Sequence, residues 1–255
     1  MRKKYQRNFS KINSSVLNPE IRLLKAEKII SVIKDFAIKE KFDLKKATVL
    51  DIGGSAGYAA KLFSNLVKKI YVVDIDENAL NFGRKNNNAK NIFYQTGDAM
   101  NLPQKDKSID IIICNQVYEH VPNYKLLIKE IYRVLTINGF CYFGAGNKYV
   151  LVEQHHNLPF LSWFPKKISN IYLKIFRGEP YYYENLLSYS GLKKLLKPFK
   201  IKDYTLEVTL EVIKNPIKYY STDQIKQNSL ISCLPKFVLE ILKPVIPGYI
   251  FIIQK

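Results

Sequence analysis

Residues 47–57, ATVLDIGGSAG, constrain the fold of this chain more than any other stretch. They begin with an apolar, β-branched segment typical of a buried strand and then place a carboxylate at Asp51. Three glycines follow within five residues, at Gly53, Gly54 and Gly57, and the next segment, AAKLFSNLVKK, has helical spacing of apolar residues. The pattern predicts a strand, a glycine turn and a helix, in which the backbone can approach a ligand and the helix start offers unpaired N–H groups.

A second acid follows the next predicted strand. The segment IYVVD ends on Asp74, where a carboxylate can bind both ribose hydroxyls of an adenosine-containing ligand. Neither GxGxxG nor GxxxxGK[ST] can be drawn through the glycines, which excludes the dinucleotide fingerprint and the P-loop.

The form D-I-G-G-S-A-G, with an acid two residues before the first glycine, resembles the first motif of class I S-adenosylmethionine (SAM)-dependent methyltransferases. Three further stretches fit the pattern of the small-molecule, type 11-like branch in the expected order: YQTGDAMNLP (94–103), SIDIIICNQVYEHVPN (108–123) and YRVLTINGFCYF (132–143). The resemblance spans residues 47–146 and implies SAM as the cofactor. Ser55 stands where the family usually has glycine, which bears on the geometry of the loop.

The resemblance implies roles for individual residues. The glycines would shape the loop under the methionyl end, and Asp51 would orient that loop and the cofactor ammonium. Asp74 would bind the ribose, Asp98 would accept from the adenine amine, and Asn115 would lie at the methionine end. The complete predicted cofactor set is Asp51, Gly53, Gly54, Gly57, Asp74, Ile75, Asp98, Ala99, Met100 and Asn115.

Methyl transfer from a sulfonium is an in-line displacement, and a hydroxyl acceptor is helped by a general base whose pKa lies near neutrality. The chain has three histidines, and His156 and His120 are the candidate catalytic residues. The alternative for each is a capping or packing role. His155 is interpreted as facing solvent or capping its segment.

Strand and helix patterns alternate from residue 49 to residue 146, which predicts an α/β fold with a doubly wound, parallel sheet. The resemblance implies that this sheet is seven-stranded, mostly parallel and of the Rossmann-like methyltransferase type. Residues 1–18 are predicted to be a flexible basic N-terminus and residues 19–255 a single domain, in which the aromatic-rich residues 147–200 form a lid insert. Asn138-Gly139 predicts a tight turn into the fifth strand, and residues 201–212 are strand-like.

The formal net charge of +18 has two interpretations, a footprint for nucleic acid or an anionic membrane, or a compositional excess of lysine without a partner. The scattered lysines favour the second. Residues 158–176 mix apolar residues with lysines, so peripheral membrane contact stays an alternative to packing as a lid. Cys114, Cys141 and Cys233 are widely spaced, which predicts free thiols and no metal site. No secretory pattern or membrane-length apolar run is present in the sequence, and we expect a cytoplasmic location.

The expected acceptor is an oxygen of a small metabolite, a glycan or a lipid-linked intermediate. Two alternatives stay open. An RNA methyltransferase would suit the charge, although the fourth strand ends C-N-Q-V-Y and lacks the Asp/Asn-Pro-Pro-aromatic sequence of enzymes that methylate exocyclic amines. A methyltransferase-like protein that binds without catalysis is the other alternative, and the intact acids speak against it.

Overall fold

A computed structural model describes residue 10, residues 17–214 and residues 236–255. The strands of the main sheet are β1 (Thr48–Ile52), β2 (Lys69–Asp74), β3 (Ile92–Thr96), β4 (Ile109–Asn115), β5 (Leu135–Gly146), β8 (Lys200–Asp203) and β9 (Gly248–Gln254). A separate ribbon consists of β6 (Val152–Glu153) and β7 (Leu158–Pro159).

The order of the main sheet is β3-β2-β1-β4-β5-β9-β8. Strands β1 to β5 pair in parallel, and β9 pairs antiparallel with both β5 and β8. The predicted seven-stranded, mostly parallel sheet is confirmed. Successive strands are added outward on one side of β1 up to β3 and then on the other side from β4, so the strand order reverses between β1 and β4. A crevice for ligands is expected outside the carboxyl ends of these two strands.

Helices cover both faces of the sheet. They are α1 (Pro19–Lys39), α2 (Tyr58–Phe63), α3 (Glu77–Asn86), α4 (Tyr124–Val134), α5 (Lys166–Arg177), α6 (Tyr189–Leu195), α7 (Thr205–Lys214) and α8 (Lys236–Leu242). One apolar layer receives Ile33 of α1, Phe63 of α2 and Leu80 of α3. The opposite layer receives Ile131 of α4 and Leu192 of α6. Burial on both faces explains why the central strands read as continuous apolar runs.

Residues 147–187, named here the insert, leave the sheet at the end of β5. They contain β6, β7, a 3₁₀ turn at Leu161–Trp163 and helix α5. The insert has its own small apolar cluster of Leu158, Leu161, Leu173 and Tyr182. The division of the chain at residues 18 and 19, and a lid over residues 147–200, stay predictions.

Two local predictions were wrong. Residues 205–212 are helical, because Asp203 ends β8 by accepting the N–H of Thr205 at 2.9 Å and the side chains of Tyr204 and Val208, four residues apart, enter the same core layer. Asn138-Gly139 lies within β5. There the register against β4 shifts between Ile109 and Ile111, so the extra residues form an irregularity within the strand and the strand begins before them, at Leu135.

The thiols of Cys114 and Cys141 are free and buried, as predicted, and Cys233 lies outside the described residues. Across residues 17–214 and 236–255, no helix is both long enough and apolar enough to span a bilayer. The cytoplasmic location stays a prediction.

Candidate functional site

The turn after β1 has the backbone shape that its glycines allow. Gly53 and Gly57 adopt φ values of +66° and +71°, and Gly57 is the residue from which α2 begins. A Cβ on Gly54 would lie 2.6 Å from the Asp51 carboxyl carbon, and a Cβ on Gly57 would lie 2.3 Å from the Tyr94 hydroxyl oxygen. Close approach of backbone to side chains therefore requires glycine at both positions.

Asp74 ties this turn to the tip of β2. One carboxylate oxygen accepts the Ser55 N–H at 2.8 Å and the other accepts the Asp76 N–H at 2.9 Å. Burial raises the pKa of Asp74, against the lowering effect of these N–H groups. Each oxygen keeps a further lone pair, so the carboxylate can still accept from two hydroxyls.

Asp98 is held beside Asp74 by the backbone. The Gly97 N–H donates to the Asp74 carbonyl at 3.0 Å, and the Met100 N–H donates to the Asp98 carboxylate at 2.7 Å. Ile75, Ala99 and Met100 are half-buried around these turns. The structure thus brings the predicted ribose and adenine residues together at neighbouring strand tips.

Asp51 and Asn115 end the two strands at the reversal of the sheet. Asp51 is buried against Gly54, and burial followed by the charge of Asp74 raises its pKa to about 8. Asn115 is the last residue of β4, and a Cβ on Gly144 would lie 2.1 Å from its side-chain oxygen. We name the surface formed by residues 51–57, 74–76, 97–101 and Asn115 the glycine-loop side of the crevice.

The glycine-loop side fits an adenosyl sulfonium with an amino-acid tail. Its backbone leaves no room for Cβ atoms at Gly53, where one would lie 2.7 Å from a Val117 methyl group, or at Gly54. Side-chain carboxylates at two adjacent turns supply acceptors for hydroxyls and an amine, and half-buried apolar side chains flank them. A free phosphate chain would instead need cations and N–H groups.

One residue near this side carries no motif in the sequence. Arg22 of α1 is buried enough that its pKa is lowered, while the charges of Tyr58 and Asp74 act in the opposite direction. Tyr58 in turn donates to the carbonyl of Leu17 at 2.9 Å, which fastens the start of α1 to the glycine turn. The position of the Arg22 guanidinium near Asp74 follows from the packing of α1 against α2, and helical periodicity in the sequence does not predict it.

The loop after β4 places a buried carboxylate beside a histidine. Glu119 is fully buried, and within the described residues neither of its carboxylate oxygens makes a hydrogen bond. Burial raises the pKa of Glu119 to about 7, against smaller effects of its own N–H, of His155 and of the Gly146 N–H. Burial and then the charge of His155 lower the pKa of His120 to about 4, so its imidazole is neutral at physiological pH.

The insert brings the other two histidines to this loop. The rings of His120 and His155 meet edge to face with centroids 4.9 Å apart, and His155 Nδ1 lies 2.6 Å from an oxygen of the buried Glu153. Although burial alone would lower it, this pairing raises the pKa of His155. The side chain of His155 is 22% exposed, so it does not face solvent freely, and its capping role stays a prediction.

His156 faces a different carboxylate. Its Nε2 lies 3.4 Å from Glu184, which is buried, and its Nδ1 lies 3.4 Å from Glu179. Burial would raise the pKa of Glu184, but the hydrogen bond with His156 and the charge of His155 lower it to about 2. We name His120, His155, His156, Glu119, Glu153 and Glu184 the histidine side of the crevice. Sequence reasoning assigned no role to its three glutamates. Glu119 stands in the family-like segment 108–123, whereas Glu153 and Glu184 stand in no recognisable motif.

Backbone and phenol contacts fix the insert to the loop after β4. The Tyr118 hydroxyl donates to the Gly146 carbonyl at 2.7 Å and accepts the Leu187 N–H at 3.0 Å. The Asn185 N–H donates to the Glu119 carbonyl at 2.7 Å. Glu119 and Glu184 are therefore neighbours although 65 residues separate them. Over the described part of the chain, no group of histidine, cysteine and acidic side chains has the arrangement of a metal site.

Comparison with known proteins finds similarity to methyltransferases. Residues 50–143 match the family model described as a methyltransferase domain. An uncharacterized methyltransferase of Bacillus subtilis is 30% identical over 133 residues, which cover 50% of this chain and 52% of that protein. The malonyl-[acyl-carrier protein] O-methyltransferase of Bacillus anthracis is 26% identical over 141 residues, covering 54% and 51%. The chain spans about half the length of these curated relatives.

A solved structure extends the likeness beyond the matched segment. The S-adenosylmethionine dependent methyltransferase from Mesorhizobium loti superposes with a TM-score of 0.56 at 12% identity, over 84% of this chain and 93% of that one. At this identity the superposition shows the fold alone.

Proposed function

We propose that the chain is a class I SAM-dependent methyltransferase and that it transfers the methyl group of SAM to an acceptor oxygen. The observation that carries the proposal is the joining of Asp74 and Asp98 at adjacent strand tips behind the glycine turn, through the hydrogen bond from Gly97. When bound, SAM supplies an electrophilic methyl group.

The residues of the glycine-loop side would hold the cofactor. Asp74 would accept from the ribose hydroxyls with the lone pairs that Ser55 and Asp76 leave available, and Asp98 would accept from the adenine amine. Ile75, Ala99 and Met100 would flank the base, and Asn115 would meet the methionine end through its carbonyl. Gly53, Gly54 and Gly57 let the backbone come close, and Asp51 would orient the loop and the ammonium.

The histidine side is proposed to receive the acceptor. Methylation of a hydroxyl releases its proton, and a nearby imidazole nitrogen would take that proton. His120 is our first candidate base because it is neutral and follows Asn115 in the loop after β4. With a pKa of about 4 it is a weaker base than an imidazole that titrates near neutrality. Glu184 and Glu153 would stabilise the imidazolium formed, since both charges raise the pKa of His120.

His156 is the second candidate base. Its pKa is raised through Glu184, against the lowering effect of burial, so a larger share of it is already protonated at neutral pH. The two candidates predict different pH profiles. Catalysis by His120 gives a rate that is already constant above pH 6, whereas catalysis by His156 gives a rate that is still rising there.

The acceptor is proposed from chemistry and from one relative. The Bacillus anthracis relative is named as an O-methyltransferase acting on a malonyl-acyl-carrier protein. For this chain we propose an oxygen of a small metabolite, a glycan or a lipid-linked intermediate, because basic and acidic groups meet in a partly apolar crevice.

The test has two arms. Calorimetry with S-adenosylhomocysteine should show binding by the wild type, and incubation with labelled SAM and separate lipid, glycan, RNA and small-molecule pools should label a pool other than RNA. Label in RNA that disappears with added salt would favour the nucleic-acid alternative. Binding of S-adenosylhomocysteine without label in any pool would favour a protein that binds without catalysis.

A further inference from the structure

Helix α5 directs its most apolar side outward. Its buried residues are Ser169 and Leu173, whereas Ile168, Ile171 and Ile175 are 49%, 62% and 71% exposed. At 3.6 residues per turn these isoleucines lie on the side opposite the buried pair. A surface helix ordinarily has the reverse arrangement, with charged residues outward.

Aromatic side chains extend this apolar face. The rings of Phe164 and Tyr172 lie 6.0 Å apart and those of Tyr172 and Phe176 lie 4.9 Å apart, and Phe164 and Phe176 are exposed. Trp163 precedes them, partly exposed, with its indole N–H donating to the Val150 carbonyl at 2.8 Å. Tryptophan at the edge of an apolar face is typical of the boundary between lipid and water.

The charge of α5 has one sign. Lys166, Lys167, Lys174 and Arg177 are its charged residues, and no acid occurs between residues 166 and 177. Lys167 and Lys174 are exposed beside the isoleucines, and their aliphatic stems allow the ammonium groups to reach a layer of headgroups. A protein partner would offer mixed charges, whereas this surface complements a uniformly anionic one.

We propose that the outer face of α5, together with Trp163 and Phe164, lies on an anionic lipid bilayer. The opposite side of the helix is joined to the histidine side, since Arg177 donates to the His156 carbonyl at 2.9 Å and Lys166 donates to the Tyr182 carbonyl at 3.0 Å. A bilayer beneath α5 would therefore lie one helix away from the proposed acceptor site. The proposal goes beyond methyl transfer and does not depend on it.

The test uses the full chain without cofactor. Trp163 is the only tryptophan in the sequence, so its emission reports on this surface alone. Vesicles of phosphatidylcholine with phosphatidylglycerol should pull the protein down and shift the Trp163 emission to the blue, and brominated lipid should quench it. Pure phosphatidylcholine vesicles should bind weakly, and added salt should weaken binding to the anionic ones.

Matched variants separate the surface from general effects. Ile171→Gln/Ile175→Gln should reduce partitioning about tenfold, because apolar area is lost from the contact. Ile38→Gln/Ile137→Gln removes two isoleucines that are 78% and 69% exposed elsewhere, and it should bind as the wild type does. Lys167→Gln/Lys174→Gln should lose the preference for anionic vesicles.

Three results would overturn the proposal. One is unquenched Trp163 emission in vesicles that sediment the protein, and another is equal partitioning of the two isoleucine variants. The third is a dimer in lipid-free buffer that Ile171→Gln/Ile175→Gln converts to monomer, which would assign the face to a second copy of the chain. Far-ultraviolet circular dichroism should show that every variant is folded.

Discussion

The two sides of the crevice hold their acids by different means. On the glycine-loop side, Asp74 and Asp98 accept backbone N–H groups at 2.7 to 2.9 Å. On the histidine side, Glu153 and Glu184 face imidazoles, although Glu153 also accepts the N–H groups of His155 and His156 at 3.0 and 2.9 Å. Within the described residues, the carboxylate oxygens of Glu119 accept no hydrogen bond. Backbone N–H groups do not titrate, whereas imidazoles change charge between pH 5 and pH 8. The partners of Asp74 and Asp98 therefore keep their charge, and the imidazole partners of Glu153 and Glu184 can take up and release protons.

The largest expected effect tests the ribose site at Asp74 on the glycine-loop side. Asp74→Ala should weaken binding of S-adenosylhomocysteine about 100-fold, because hydrogen bonds between ribose hydroxyls and a carboxylate contribute about 1.5–3 kcal/mol each. Calorimetry measures the change. The control is Asp110→Ala, which removes a carboxylate that accepts the Thr48 N–H at 2.9 Å near the start of β4. Equal affinities of Asp74→Ala and the wild type would refute the assignment of the ribose site.

The second test compares two acids of the histidine side. Burial raises the pKa of Glu119 in the folded protein from 4.5 to about 7. The charged carboxylate therefore destabilises the fold, and this destabilisation is absent below pH 4.5 and complete above pH 7. Glu119→Gln should therefore match the wild type at pH 4 and exceed it at pH 8 by on the order of 3 kcal/mol, at 1.36 kcal/mol per pKa unit. Urea unfolding at both pH values measures this difference.

Glu184→Gln is the matched variant of opposite sign. The folded pKa of Glu184 is lowered to about 2, so its charged form adds stability above pH 4.5 that is lost as the pH falls toward 2. This variant should be less stable than the wild type at pH 8. If the unfolding free energies of Glu119→Gln and Glu184→Gln changed with pH in the same direction relative to the wild type, the proposed difference between Glu119 and Glu184 would be refuted.

A third test concerns the glycine turn. Gly57 and Gly178 have φ values of +71° and +72°, but a Cβ would meet Tyr94 at Gly57 and nothing within 4 Å at Gly178. Gly178→Ala should lose about 1 kcal/mol of unfolding free energy from left-handed backbone strain. Gly57→Ala should lose about 1–3 kcal/mol more because the side chain overpacks the site. Urea denaturation gives both values, and equal losses would show that Tyr94 moves away freely.

The smallest effect sharpens the description of the histidine side. With three histidines in the chain, NMR titration can follow each ring. His120 should titrate near pH 4, and His155 and His156 above 6.5. Glu153→Gln should lower the pKa of His155 because it removes the carboxylate 2.6 Å from Nδ1. Glu179→Gln, which alters a neighbour of His156, should leave His155 unchanged. An unaltered His155 pKa in Glu153→Gln would contradict the pairing.

The comparison also explains what could be predicted from the sequence. Gly53, Gly54, Gly57, Asp74 and Asp98 occur at strand ends in local motifs, so strand order alone brings them to one edge of the sheet. The residues of the histidine side come from three segments, and their meeting depends on how the insert folds back. The sequence indicates His120 and His156 as candidate catalytic residues. Their positions along the sequence do not predict that the ring of His120 contacts that of His155. Val208 is a second example of this limit on prediction. The β-branched residues around it favour a strand, but the segment is helical because its side chains pack into the core.

The hydroxyl of Tyr118 affects how the sequence of this chain can change in evolution. One oxygen joins Gly146, where the insert departs, to Leu187, where it returns. With both ends closed by one phenol, substitutions or changes in length between them leave the strand tips in register. Selection can then act on the forty residues between Gly146 and Leu187 while the glycine-loop side is inherited intact.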